Sequence, residues 1–211
     1  MRVGAIQSTG GDTVNDMWKA VAAALIIGAG LARTVTAGPL EDGLVAAEHR
    51  DYATAIRLWG LLAEQGNPDA QYNLGVAYAY GHGVTRDHAA AASWFRKAAN
   101  QGLAAAQLSL GVFYENGVGV PQDFASAVSW YQKAAEQGNP AAQLNLGVMY
   151  ENGWGVAQNY VMAHMWFSLA AAAGDGDAAR HRELSAAKMT SEQIAEAHKL
   201  AREWRPRSTS R

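Results

Sequence analysis

The sequence predicts an all-α protein made of stacked helical hairpins with a 36-residue period, and three observations carry that expectation. The first is repetition. The stretch "GNPAAQLNLGVMYENGWGVAQNY" at residues 138–160 returns 36 residues earlier as "GLAAAQLSLGVFYENGVGVPQDF" from Gly102, and 36 earlier again as "GNPDAQYNLGVAYAYGHGVTRDH" from Gly66. Second, the shared alanine, leucine, glycine and tyrosine of each copy are spaced i, i+4, i+5, i+8, which places them on one helical face. Third, a glycine pair followed by an aspartate or asparagine divides each copy into two helices.

The first helix of each copy, helix A, carries Ala70, Leu74, Gly75 and Tyr78, then Ala106, Leu110, Gly111 and Tyr114, then Ala142, Leu146, Gly147 and Tyr150. A glycine inside a helix costs about 1 kcal/mol relative to alanine, so its return in every copy predicts a second helix backbone passing close by. Gly81 and Gly83, Gly117 and Gly119, and Gly153 and Gly155 then end helix A in a tight loop, because glycine accepts positive φ. Val84, Val120 and Val156 follow as plugs onto the core. Helix B begins near Asp87, Asp123 and Asn159, residue types that cap helix N-termini. It carries Ala91, Trp94 and Ala98 and their counterparts Ala127, Trp130 and Ala134, and Ala163, Trp166 and Ala170, with the tryptophans assigned to the core. Gly102, Gly138 and Gly174 close the copies. An isolated helix of a dozen residues is marginal in water, so stacking must supply the stability.

The ends depart from this template. Asp51, Ala55, Leu58 and Trp59 lie 36 residues before Asp87, Ala91, Trp94 and Phe95, so residues 43–66 read as a half-repeat: a helix B over 44–64 without its helix A. Full repeats follow at 67–102, 103–138 and 139–174. Residues 175–205 read as a capping hairpin, in which 176–188 keeps the helix A register and Thr190 and Gln193 form a capping box ahead of an apolar stripe of Ile194, Ala197, Ala201 and Trp204. Residues 206–211 read as a basic, disordered tail.

Charge and composition narrow the function classes. The formal net charge is −2, and no basic field points to nucleic acid. The absence of cysteine excludes disulfides, thiolate metal sites and a thiol nucleophile. Residues 1–37 read as an N-terminal extension and signal peptide: Lys19 precedes an apolar run from Ala20 to Ala32, and "VTA" precedes Gly38, a small-x-small cleavage pattern. Met17 is the expected start, cleavage is expected after Ala37, and the mature chain is mildly acidic. The apolar run falls short of the roughly 20 residues a membrane span needs. Retention as an anchor is the alternative. The expected location is the periplasm or the exterior, as a monomer with no stable membrane span.

The shared pattern A-x-x-x-L-G-x-x-Y-x-x-G-x-G-V-x-x-D-x-x-x-A-x-x-W-x-x-x-A-A-x-x-G resembles the Sel1-like repeat, a relative of the tetratricopeptide repeat. The resemblance covers about residues 43–174, and "SEQIAEAHKLAREW" is similar to the terminal helix of exported bacterial members. It implies a right-handed α-solenoid acting as a non-catalytic protein-binding scaffold in envelope, secretion or signalling assemblies. In the related tetratricopeptide geometry helix A lines the concave face. Carried over, this assigns a partner-binding groove to Asp69, Tyr72, Val76, Ala79 and Tyr80, then Ala105, Leu108, Val112, Glu115 and Asn116, then Ala141, Leu144, Val148, Glu151 and Asn152. Such a strip has an apolar floor and an acidic, amide-bearing edge, suited to a protein or peptide with apolar anchors and a basic flank. Packing of Val76, Val112 and Val148 between helices is the alternative.

Catalytic readings are weaker. "SAAK" at Ser185 to Lys188 matches the S-x-x-K of penicillin-binding enzymes without their other motifs. Some cysteine-rich relatives are described as β-lactamases or penicillin binders, but this chain has no cysteine. Asp175, Asp177, His181 and Glu183 fit neither a calcium loop nor a two-histidine metal helix. No catalytic residue, metal or cofactor is expected. Binding of peptidoglycan or another glycan is the alternative to protein binding, and exposed aromatic residues would favour it.

Overall fold

The computed structural model describes residues 38–207. The expected export segment, with its cleavage site after Ala37, and residues 208–211 of the expected tail lie outside the described residues. Among the described residues the chain forms ten helices and no strand: α1 (Pro39–Glu48), α2 (Tyr52–Glu64), α3 (Pro68–Tyr80), α4 (His88–Asn100), α5 (Ala104–Asn116), α6 (Phe124–Glu136), α7 (Pro140–Asn152), α8 (Tyr160–Ala172), α9 (Gly176–Ala186) and α10 (Ser191–Glu203). Helices α1 to α9 stack on their neighbours in chain order, an all-α solenoid in which α3/α4, α5/α6 and α7/α8 are the three full repeats. None of the described helices is long and apolar enough to cross a membrane.

Local chemistry sets the helix boundaries as the repeat predicts. Asp87 Oδ1 accepts hydrogen bonds from the amides of Ala89 and Ala90, Asp123 Oδ1 from those of Ala125 and Ser126, and Asn159 Oδ1 from that of Met162. Each cap satisfies amides that the first helical turn leaves without a partner. Gly83, Gly119 and Gly155 have φ of 72°, 66° and 68° and lie against the backbone at Tyr52, His88 and Phe124, where the preceding helix B starts. Positive φ and close approach together exclude a side chain there.

The core corrects two expectations. A Cβ on Gly75 would lie 2.6 Å from the Phe95 ring, and one on Gly111 or Gly147 would lie 2.5 Å from the ring of Tyr131 or Phe167. What passes close to these glycines is therefore an aromatic ring from helix B of the same hairpin, not a helix backbone. Phe95, Tyr131 and Phe167 are fully buried. Trp94 and Trp130, assigned to the core from sequence, are half-buried, with the Lys97 and Lys133 ammonium groups 3.8 and 3.9 Å from their ring centroids. Of the three tryptophans at this register, Trp166 alone is buried.

A ladder of glutamines joins one repeat to the next. Buried Gln71, Gln107 and Gln143 donate through Nε2 to the carbonyls of Ala63, Ala99 and Ala135 at the end of the preceding helix B. Gln101 and Gln137 in turn donate to Gln71 Oε1 and Gln107 Oε1 at 2.8 and 2.7 Å. These bonds satisfy helix C-terminal carbonyls in a place water does not reach.

Both ends of the array differ from expectation. The single helix expected over 44–64 is broken at residues 49–51, where Arg50 has φ 62°, so α1 and α2 form a complete first hairpin. Its loop is shorter than the 81–87 connection, and Gly43 presses on the Trp59 indole as Gly75 presses on Phe95. At the other end, α10 packs on α8 and is not a hairpin partner of α9. Its capping box at Thr190 and Gln193 forms as expected. Leu200, Ala201 and Trp204 join the buried cluster around Trp166, and the two indoles meet edge to face at 6.3 Å. The start of the expected tail is tied down: the Arg207 amide donates to the Glu136 carbonyl, and its guanidinium lies 2.9 Å from the Glu136 carboxylate.

Candidate functional site

The helix A strip divides by repeat. On α3, Tyr72 and Val76 are buried. The Tyr72 ring sits 5.5 Å from that of Phe95, and its hydroxyl bonds Ser109 on α5; burial pushes its pKa up, and the Ser109 bond opposes the rise. Tyr80, half-buried, is pushed up to about 12 by burial and then by Tyr72, and its ring lies 5.7 Å from His82. In the first full repeat, then, Tyr72 and Val76 are packing residues and not a groove floor. On α5 and α7 the apolar positions Leu108, Val112, Leu144 and Val148 are all half-buried, and Leu108 and Val112 also pack against the core cluster of α6 to α8. Asn116 and Asn152 are exposed, and their amides donate at 2.9 Å to the carbonyls of Val112 and Val148 one turn back. Ala141 is exposed; Asp69, Ala79 and Ala105 are half-buried.

The two carboxylates expected as an acidic edge sit 36 residues apart but live in different surroundings. Glu115 Oε2 accepts from the Tyr131 hydroxyl, which also bonds Asn145 on α7. Burial raises the pKa of the Glu115 carboxyl, and the phenol bond only partly opposes that. The Tyr131 hydroxyl is itself pushed well above its ordinary range, by burial first and then by the Glu115 charge. Glu151, by contrast, is buried beneath α9 and its following turn: Lys188 Nζ lies 3.1 Å from Oε1 and His181 Nδ1 lies 3.4 Å from Oε2. The expected open charge at Glu151 is thus already occupied from within the chain.

A row of rings outside the sequence-predicted groove runs along the loop edge. His82 stacks on Tyr52 at 4.7 Å, Trp154 stacks on Phe124 at 5.8 Å, and Lys188 lies 5.1 Å from the Tyr160 ring centroid. Trp154 is 43% exposed. The signal was present in the aromatic residues at the first position of each helix B: Tyr52, His88, Phe124 and Tyr160.

No catalytic constellation assembles from the motifs singled out. Ser185 is buried and its hydroxyl donates to the Arg182 carbonyl at 2.9 Å, while Lys188 is held by Glu151. Asp175 caps α9 through the Ala178 amide, Asp177 pairs with Arg180 at 3.5 Å, and His181 faces Glu151. Among the described residues, no group of three or more metal-ligating side chains comes together.

Comparison with known proteins agrees with this geometry. Residues 40–67, 68–103, 104–139 and 140–175 each match the Sel1 repeat, so the short first hairpin counts as a repeat of its own. The chain is similar to a protective antigen present in uropathogenic Escherichia coli strains that displays an SLR fold, with 39% identity and a TM-score of 0.67 over 72% of this chain and 32% of that one. It is also similar to a Sel1 repeat protein from Oxalobacter formigenes, with 36% identity and a TM-score of 0.66 over 69% of this chain and 60% of that one. The matched region therefore spans less than two thirds of either solved relative. No match was found among curated proteins. With four matched segments, buried rings against the helix A glycines and a loop glycine docked on each preceding hairpin, the chain belongs to the Sel1 repeat family.

Proposed function

We propose that this chain is a non-catalytic scaffold of the bacterial cell envelope, exported by its N-terminal segment, that holds a protein segment along α5 and α7. Sel1 repeat proteins are generally protein-interaction scaffolds, and the likeness to a protective antigen is in keeping with a place outside the cytoplasm. One observation carries the reading. Leu108, Val112, Leu144 and Val148 stay partly open in two consecutive repeats, whereas Tyr72 and Val76 are sealed in the repeat before. An apolar strip kept open at a repeating register, with amides and a carboxylate beside it, suits a partner with apolar anchors and a basic flank. The scaffold works as a monomer and needs no cofactor.

The test is capture of partners from envelope extract by the wild-type chain and by a Leu108→Ala, Leu144→Ala double variant. The variant is expected to stay folded and to lose its partner, each anchor contributing roughly 1 to 3 kcal/mol. Equal capture by both proteins would remove the strip from consideration. A reporter active only outside the cytoplasm, fused after Ala37, checks export in the same strain.

A further inference from the structure

Glu151 shows what a carboxylate at its register takes. Lys188 Nζ reaches Glu151 Oε1 at 3.1 Å and lies 5.1 Å from the Tyr160 ring, so carboxylate and ring together hold an ammonium group. One repeat earlier, 36 residues back, the same two positions are Glu115 and Phe124. There Glu115 Oε2 is held by the neutral Tyr131 hydroxyl, and no cationic side chain pairs with the carboxylate among the described residues. On the preceding hairpin Arg96 donates to the Tyr114 hydroxyl at 2.9 Å. Phe124 carries the exposed Trp154 ring stacked on it at 5.8 Å. In the first full repeat the equivalents are Ala79 and His88, which offer no carboxylate.

We infer that Glu115, Phe124 and Trp154 form a socket for a basic side chain of a partner protein, the intermolecular counterpart of the Lys188 site. This rests on the scaffold reading and names the chemistry of one contact within it. A half-buried carboxylate with only a phenol for company is short of positive charge, and a lysine or arginine supplies it with a charge-assisted bond to Oε1. As the Tyr160 ring does for Lys188, the stacked Phe124 and Trp154 pair lines the methylene stem. Specificity follows from the same arrangement, because an uncharged side chain leaves the carboxylate without its counterion.

The probe is a capped synthetic peptide copying residues 184–190, which carries Lys188 in its own sequence context, titrated into the full chain. The readout is the indole N–H resonance of Trp154, assigned by Trp154→Phe. We expect a saturable shift, and binding weaker by roughly tenfold or more both for a peptide with norleucine in place of the lysine and for Glu115→Gln, as the loss of a charged hydrogen bond implies. Glutamine keeps an acceptor for Tyr131, so an otherwise unchanged spectrum reports that the variant is folded. Equal binding by the norleucine peptide or by Glu115→Gln overturns the proposal. So does a Trp154 shift caused by an N-acetylglucosamine trimer and not by the peptide, which would make the rings a sugar platform. If Leu108→Ala with Leu144→Ala abolishes partner capture while Glu115→Gln leaves capture and peptide binding intact, the socket is wrong and the scaffold stands. If the lysine peptide binds at Glu115 as expected and no envelope partner is captured, the socket stands and the scaffold reading falls.

Discussion

Helices α6 and α8 occupy the same register of consecutive repeats, have the same length and begin with equivalent caps, yet one faces water and the other does not. On α6, Ser129, Gln132 and Lys133 are exposed and Trp130 is half-buried under the Lys133 ammonium. On α8 the matching positions are Met165, Ser168, Leu169 and Trp166; Met165 and Trp166 are buried, and Leu169 packs against the same cluster. The difference is α10, which packs on α8 and, with the Trp204 that follows it, closes the cluster around Trp166. A helix apolar all round is a covered helix, whereas one with a charged stripe has kept its solvent face. The substitution pattern along one register therefore records where the array stops repeating and folds back on itself.

The largest expected effect separates the two tryptophans. Trp166→Ala removes a buried indole and leaves a cavity beneath Trp204, and should cost about 3 to 5 kcal/mol in urea unfolding. Trp130→Ala removes a half-exposed ring and its stacked lysine, and should cost about 1 to 2 kcal/mol. Equal costs would mean that α10 does not protect Trp166, and the contrast between the helices would fail.

That contrast also shows what was legible beforehand. Helix registers, caps and loop glycines stood out because three copies repeat each signal, and a chance coincidence does not recur at a fixed offset. The core ring was misassigned by one position. Adjacent helix residues differ by only about 100° of arc, both columns are aromatic or nearly so, and the larger tryptophan drew the assignment away from Phe95, Tyr131 and Phe167. Helix α1 escaped because its loop is short, which moves Gly43 to 32 residues before Gly75 and out of the 36-residue comparison. At the site, the apolar positions were visible in the repeat. The neutralisation of Glu151 was not, since Lys188 lies beyond the last full repeat and has no periodic counterpart to announce it. The fold-back of α10 was hidden for the same reason: an amphipathic helix states that it has an apolar face, not which neighbour receives it.

The next effect concerns pH at the α8 and α10 junction. Buried His164 replaces the Val128 of α6, and its ring lies 5.2 Å from that of His198 on α10, with Ser168 Oγ 3.4 Å from Nδ1 and Arg182 of α9 nearby. Burial first, then the His198 and Arg182 charges, hold its pKa down to about 4. The folded state thus binds fewer protons than the unfolded state below the ordinary histidine value. Its contribution is fully present above about pH 6.5 and is lost as pH falls toward 4. Solvent reaching the edge of the junction screens part of the charge, so the unfolding free energy should drop by roughly 1 to 3 kcal/mol across that window. His164→Val, which installs the α6 residue, should flatten the profile there. A pH dependence unchanged in the variant would place the titrating group elsewhere.

The smallest effect is the sharpest test of whether composition follows cover. Lys133→Leu converts the outward face of α6 toward that of α8, since Leu169 is the residue at this register one repeat on. The change removes an ammonium 3.9 Å from the Trp130 ring centroid, a contact worth about 0.5 to 1 kcal/mol at an exposed site. Leucine over the same indole restores part of that by apolar contact, so the unfolding free energy should move by less than about 1 kcal/mol. Solubility should respond more than stability. Without a helix like α10 to cover it, a leucine beside a half-open tryptophan enlarges an apolar patch, and concentration-dependent association should appear in sedimentation where the wild type shows none. If Lys133→Leu instead stabilises the fold by well over 1 kcal/mol and stays dispersed, the lysine is not a marker of a solvent face, and the inference from register composition to the position of α10 loses its basis.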